Sequence, residues 1–162
     1  MRLILSAALA FAATSASAEM AGQLLAPWGG VTVPAGQECH LFQGEGATPP
    51  VALTGLPEGT TAVHLEFNDL TYKPLSTDGG HGIIGFNVTG PDVTLEPVPA
   101  MTADLPEPAF LVAKARAPGD YRSDGYLPPC SGGRGNDYSV TIKAVDDAGE
   151  VLETITLPLG KY

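Results

Sequence analysis

Along this chain apolar and polar positions alternate in short runs, cut every few residues by glycine or proline. In the run at 61–67, Val63, Leu65 and Phe67 fall on one face, and His64 and Glu66 on the other, the period-two pattern of a half-buried strand. The run at 138–145 repeats it, with Tyr138, Val140, Ile142 and Ala144 set against Ser139, Thr141, Lys143 and Val145. Residues 151–157 are rich in β-branched side chains, and residues 146–150, carrying Asp146, Asp147 and Gly149, supply the turn of a hairpin between the two. Further strands are expected at 31–33, 51–54, 82–88 and 110–113. Pro49-Pro50 opens the second of these, because proline cannot sit in a central ladder. A tight turn at Gly55-Leu56-Pro57-Glu58-Gly59 precedes the 61–67 strand. Residues 92–109, with four prolines, read as an irregular surface connection holding a helical turn near 101–104. Many short strands separated by turn signals predict an all-β protein, an antiparallel sandwich with at most short helices.

Composition supports that pattern: 20 glycines and 15 prolines in 162 residues leave little room for long helices. At the start, Arg2, an apolar run and Ala16-Ser17-Ala18 form a secretory signal peptide over residues 1–18, leaving one mature domain at 19–162. A periplasmic or secreted location follows, and no later stretch has the ~20 apolar residues an integral membrane helix needs. The whole chain carries 8 basic and 18 acidic side chains, a formal charge of −10. Removing Arg2 leaves 7 against 18, or −11, which argues against nucleic acid and against anionic membrane surfaces as partners. Cys39 and Cys130 are the two cysteines, and an exported chain favours a bridge between them over two buried free thiols.

The order of motifs resembles the phosphatidylethanolamine-binding protein family, in its bacterial, exported, Raf-kinase-inhibitor-like branch. Cys39 lies in a turn followed by Thr48-Pro49-Pro50-Val51, then Gly55-Leu56-Pro57-Glu58-Gly59-Thr60, then a strand ending in an acid at Asp69. Gly80-His81-Gly82-Ile83-Ile84-Gly85-Phe86-Asn87 looks like the family's histidine-led central strand. The block from Asp124-Gly125-Tyr126 through Pro128-Pro129-Cys130 to Asn136-Asp137-Tyr138 looks like its later turn and strand. The resemblance spans roughly residues 33–146. It implies a β-sandwich with Greek-key elements, trimmed at the C-terminal end where two strands follow one another directly. Both cysteines are then placed beside the turns at one end of the fold.

The resemblance also implies a small polar pocket for an anion or a phospholipid head group. Asp69 falls on the pocket acid, His81 on the histidine before the central strand, and Tyr126 on the loop tyrosine. Asn136 falls where the family has histidine, and Asp137 where it has arginine. The family's Asp-Pro-Asp is here Asp69-Leu70-Thr71, so the second acid is gone together with the arginine. Asn136 keeps a donor but not a chargeable one. The glycine-rich stretch 132–135 reads first as a turn, and second as a set of backbone donors plus the Arg134 guanidinium for an anion. Asp69 after a strand is also ordinary turn chemistry, His81 an ordinary loop histidine, and Tyr126 a packing partner for Pro128 and Pro129. His64 and Glu66 are expected to form an outward surface pair.

Other chemistries lack their residues. There is no Gly-x-Ser-x-Gly elbow and no phosphate loop; the cysteines show no zinc spacing, and Asp146-Asp147 lacks the ligand count of a calcium loop. No cofactor or metal is therefore expected. The function expected is non-enzymatic: an exported binding protein with ligand-binding residues Asp69, His81, Tyr126 and Asn136. The alternative is a protein-interaction module, such as a protease or enzyme inhibitor acting through surface loops, with a vestigial pocket.

Overall fold

A computed structural model describes residues 19–162; the expected signal peptide lies outside the described residues. Among the described residues eight strands run β1 (Ala21–Leu24), β2 (Val51–Thr54), β3 (Ala62–Asp69), β4 (Ile83–Asn87), β5 (Val93–Leu95), β6 (Ala109–Ala113), β7 (Asp137–Val145) and β8 (Val151–Lys161). Helical structure among the described residues is confined to three 3-10 turns, at His40–Phe42, Lys73–Leu75 and Gly119–Tyr121. The strands form two antiparallel sheets, one ordered β1-β2-β5 and the other β6-β4-β3-β7-β8. In the larger sheet β7 returns to the far side of β3, so β7-β3-β4-β6 has the Greek-key order. The all-β sandwich expected from the pattern is the fold observed.

Each sheet is amphipathic because its strands alternate. Val63, Leu65 and Phe67 of β3, and Val140, Ile142 and Ala144 of β7, are buried in one cluster with Val51 and Leu53 of β2 and Leu95 of β5. Burying a side chain of this size contributes about 1.5–3 kcal/mol, so these inward positions hold the two sheets together. The β7–β8 hairpin closes through Asp146, whose Oδ1 accepts the backbone N–H groups of Ala148 and Glu150.

Three local expectations fail. Residues 31–33 form no strand; Thr32 makes only an isolated bridge to Lys161. Val93–Leu95, inside the supposed irregular connection, is a strand paired with β2. No helical turn forms at 101–104; Met101 instead takes a positive φ of 65°.

A second, smaller apolar cluster joins Leu75, Ala115, Ala117 and Leu127 to Cys39 and Cys130. The two cysteines are bridged, with their Cα atoms 5.3 Å apart and 91 residues between them in sequence. This cluster forms the base of one end of the sandwich, where β3 ends and β7 begins.

Candidate functional site

β3 delivers Asp69 at its last position, directly opposite Tyr138 in the β3–β7 register. The chain turns immediately afterwards, and the Asp69 carboxylate makes that turn. Its Oδ1 accepts the backbone N–H groups of Thr71 and Tyr72, both at 3.0 Å. Its Oδ2 accepts the Asn136 side-chain amide at 2.7 Å. Asp137 N–H donates to the Thr71 hydroxyl at 2.9 Å, so the end of β3 and the start of β7 hold each other. Asp69 is only 4% exposed, yet no ion pair among the described residues includes it.

His81 arrives from the segment before β4. Its backbone N–H donates to Phe67, and its carbonyl accepts the N–H of Leu127. Gly80 N–H donates to the Asn68 side chain, while the Arg116 guanidinium holds the carbonyls of Thr77 and Asp78. The ring sits 2.8 Å through Nδ1 from the Leu127 carbonyl. A carbonyl only accepts, so Nδ1 carries the proton and the Nε2 of the neutral ring is an acceptor. That Nε2 is buried and has no hydrogen-bond partner among the described residues. Burial lowers the His81 pKa below its usual value, against the opposing pull of the Leu127 carbonyl and the Asp69 charge. The ring is neutral at physiological pH.

Asp69, His81 and Asn136 line one cavity of about 380 Å³. Leu75, Ala117, Leu127 and Cys130 of the second apolar cluster form part of its wall. Tyr138 and Ser131 add polar atoms, while Tyr72 and Tyr121, both exposed, also line it. The Tyr138 phenol accepts the Cys130 backbone N–H, and its pKa is pushed up to about 12, chiefly by burial. Arg134 lines the cavity from an exposed position and makes no ion pair among the described residues.

Tyr126 lies elsewhere. It is 1% exposed, packs its ring 4.3 Å from Phe67 and is not among the residues lining this cavity. Its hydroxyl has no partner among the described residues, and burial raises its pKa. The buried tyrosine at the cavity wall is Tyr138, which the alternating pattern placed on the inward face of β7 without indicating its role. Asp137 pairs with Lys161 at 3.1 Å on the surface. Glu66 pairs with Lys143 at 2.6 Å, while His64 is half-buried edge-on to Phe110. The outward face holds, but its ion pair runs across strands and not from His64 to Glu66.

No protein-family profile and no curated protein matches the chain. Among solved structures it is similar to one described as a phosphatidylethanolamine-binding protein homologue, from Chlamydia trachomatis D/UW-3/CX. The two share 20% identity over 89% of this chain and 97% of the other, at a TM-score of 0.56. The fold is therefore of the phosphatidylethanolamine-binding type. Among the described residues no helix is long and apolar enough to cross a membrane.

Proposed function

We propose that this chain is an exported, non-enzymatic binding protein whose cavity takes a small anion or a phospho-head group. The observation that carries the reading is the convergence of Asp69, His81 and Asn136 on one cavity, with Arg134 beside it. Buried polar groups normally find partners, so the unpartnered acceptor nitrogen of His81, on a residue lining a cavity of ligand size, suits a ligand that brings a hydroxyl, such as the P–O–H of a phosphate monoanion. Arg134 offers a fork of donors matched to phosphate oxygens. Nothing in the cavity pairs a nucleophile with a base: Ser131, the hydroxyl nearest this role, donates to the Tyr162 carbonyl. The fold's likeness to a described binding-protein homologue supports the class, and the expected signal peptide supports export.

A second reading, a protein-interaction module, draws on Leu70 and Tyr72, exposed by 54% and 50% on the turn that Asp69 anchors. An NMR titration of residues 19–162 with phosphate and phosphoethanolamine separates the two. Saturable shifts clustered at Asp69, His81 and Asn136, and abolished in Asp69→Ala, are expected for the binding protein. Silence at millimolar concentrations of both ligands would defeat it and direct attention to the exposed turn.

A further inference from the structure

Among the described residues the two sheets leave four edge strands, β1 and β5 on the smaller and β6 and β8 on the larger. An edge strand exposes a row of backbone donors and acceptors, and chains that stay apart protect such rows with charge, proline, shortness or a covering segment. Three of these edges are protected. β5 is three residues long between Asp92 and Glu96, with Pro91 and Pro97 just outside. β1 is four residues long and holds Gly22. β8 carries Glu153, Pro158 and Lys161. Residues 31–33 lie along its end, with Val33 N–H donating to the Lys161 carbonyl and Lys161 N–H to that of Val31. β6 differs: Ala109-Phe110-Leu111-Val112-Ala113 contains no charge, proline or glycine. Among the described residues, no backbone hydrogen bond of residues 110–113 reaches any element except β4. Its one protective feature is a bulge at Val112, where the β4–β6 register slips, and Val112 itself stands 41% exposed.

We infer that β6 pairs antiparallel with β6 of a second copy of this chain, about a two-fold axis at Leu111, so that two five-stranded sheets run on as one. The inference is independent of what the cavity binds. A closed dimer needs one patch complementary to itself, and β6 meets that demand. With Leu111 opposite Leu111, Phe110 of each copy faces Val112 of the other, and an aromatic opposite a β-branched residue is a favourable cross-strand pair. Phe110 already lies against Gly85 of β4, where an added Cβ would collide with its ring, and edge-on to His64. The flanks match as well. Glu107 precedes the strand, exposed and without an ion pair among the described residues, and Lys114 follows it. Lys114 approaches Asp124 only to 3.7 Å, with both side chains largely exposed, so it is free to turn. Antiparallel pairing carries each Lys114 to the Glu107-Pro108 step of the other copy, giving two ion pairs between copies. A parallel pairing would set lysine against lysine. The strip is short and bulged and each copy is acidic, so the dimer is a weak one, with a dissociation constant on the order of 0.1 mM.

Sedimentation equilibrium of the native mature protein at about 0.15 M salt, where repulsion between exposed charges is screened beyond about 8 Å, tests the pairing. The average mass should climb from one copy towards two as concentration rises from micromolar to millimolar, and amide exchange at residues 110–113 should slow in step. Val112→Lys, a change at an exposed position, should hold the mass at one copy. Glu107→Lys and Lys114→Glu should each weaken association about tenfold on their own, because the two-fold axis repeats the like-charge contact. Mixed in equal amounts, these two variants should restore it, since each flank then meets its opposite. A single-copy mass throughout for the native protein would overturn the proposal. So would a dimer indifferent to Val112→Lys, or a mixture no stronger than its parts, because the interface would then lie elsewhere. Should Val112→Lys fail to fold, the two flank variants and their mixture decide the question.

Discussion

His81 stays neutral because burial outweighs the groups that would charge it. Desolvation is the largest influence on its pKa and lowers it; the Leu127 carbonyl and Asp69 act the other way. In the unfolded chain the same ring titrates near its ordinary value of about 6.5. Above that pH both states are neutral and the ring adds no pH dependence. As pH falls below it, the unfolded state takes up a proton before the folded state does, so stability is lost until the folded pKa is passed. One such group steepens the loss by at most about 1.4 kcal/mol per pH unit. Half-buried His64 is lowered too, chiefly by desolvation, and acts in the same direction. Urea unfolding of the native protein and His81→Gln between pH 7 and pH 5 should therefore show a shallower decline for the variant; parallel curves would mean that His81 is solvated. Much of this residue scale was legible in the sequence. The order of motifs singled out Asp69, His81 and Asn136, which do reach one cavity. It also singled out Tyr126, which does not, because a loop tyrosine carries no periodicity to show which way it faces. Tyr126 took the apolar site on Phe67, and the strand residue Tyr138 took the wall.

At the scale of elements, legibility followed length. β3 and β7 are long enough for their alternation to declare itself, and their paired register then fixes Asp69 opposite Tyr138. β5 has only three residues between prolines, and its pairing with Val51 and Leu53 of β2 is a tertiary fact that no local pattern carries. The segment 79–82 shows how such facts position chemistry. Gly80 donates its N–H to Asn68, and a Cβ on it would collide with the backbone of Leu75 in the neighbouring 3-10 turn. Backbone cannot yield as a side chain does, so Gly80→Ala should fall at the upper end of the roughly 1–3 kcal/mol that overpacking costs. It should also displace the His81 ring resonances. Gly29→Ala, where an added Cβ meets nothing within 4 Å, is the matched control and should stay within about 0.5 kcal/mol. Equal urea midpoints for the two variants would show that the 79–82 segment is slack and does not fix His81.

For the whole molecule, the Cys39–Cys130 bridge couples stability to the cavity. It joins the turn preceding β2 to the segment preceding β7, across 91 residues, and Cys130 is itself part of the cavity wall. Closing so long a loop restricts the unfolded chain, and the chain-entropy account puts the gain at about 4–5 kcal/mol, within a usual range of about 2–5 for loss of a native bridge. The bridge lies in the smaller apolar cluster, apart from Val63, Leu65, Val140 and Ile142 of the sandwich core, and meets that core at Tyr138. Two effects should therefore separate in Cys39→Ser/Cys130→Ser. The free energy of urea unfolding should drop by about 2–5 kcal/mol, while amide protection of β3 and β7 persists wherever the chain remains folded. Local order at the cavity should fall further, because Cys130 carries the N–H that Tyr138 accepts and shares its cluster with Leu75 and Leu127. Hydrogen exchange read residue by residue distinguishes these effects. Faster exchange at Leu127, Cys130 and Asn136, with β3 unchanged, would show that the bridge holds the site as well as the fold. Uniform acceleration would mean that it acts through the unfolded chain alone. In that case the backbone bond from Cys39 to the Pro129 carbonyl, together with the apolar cluster, suffices to shape the wall.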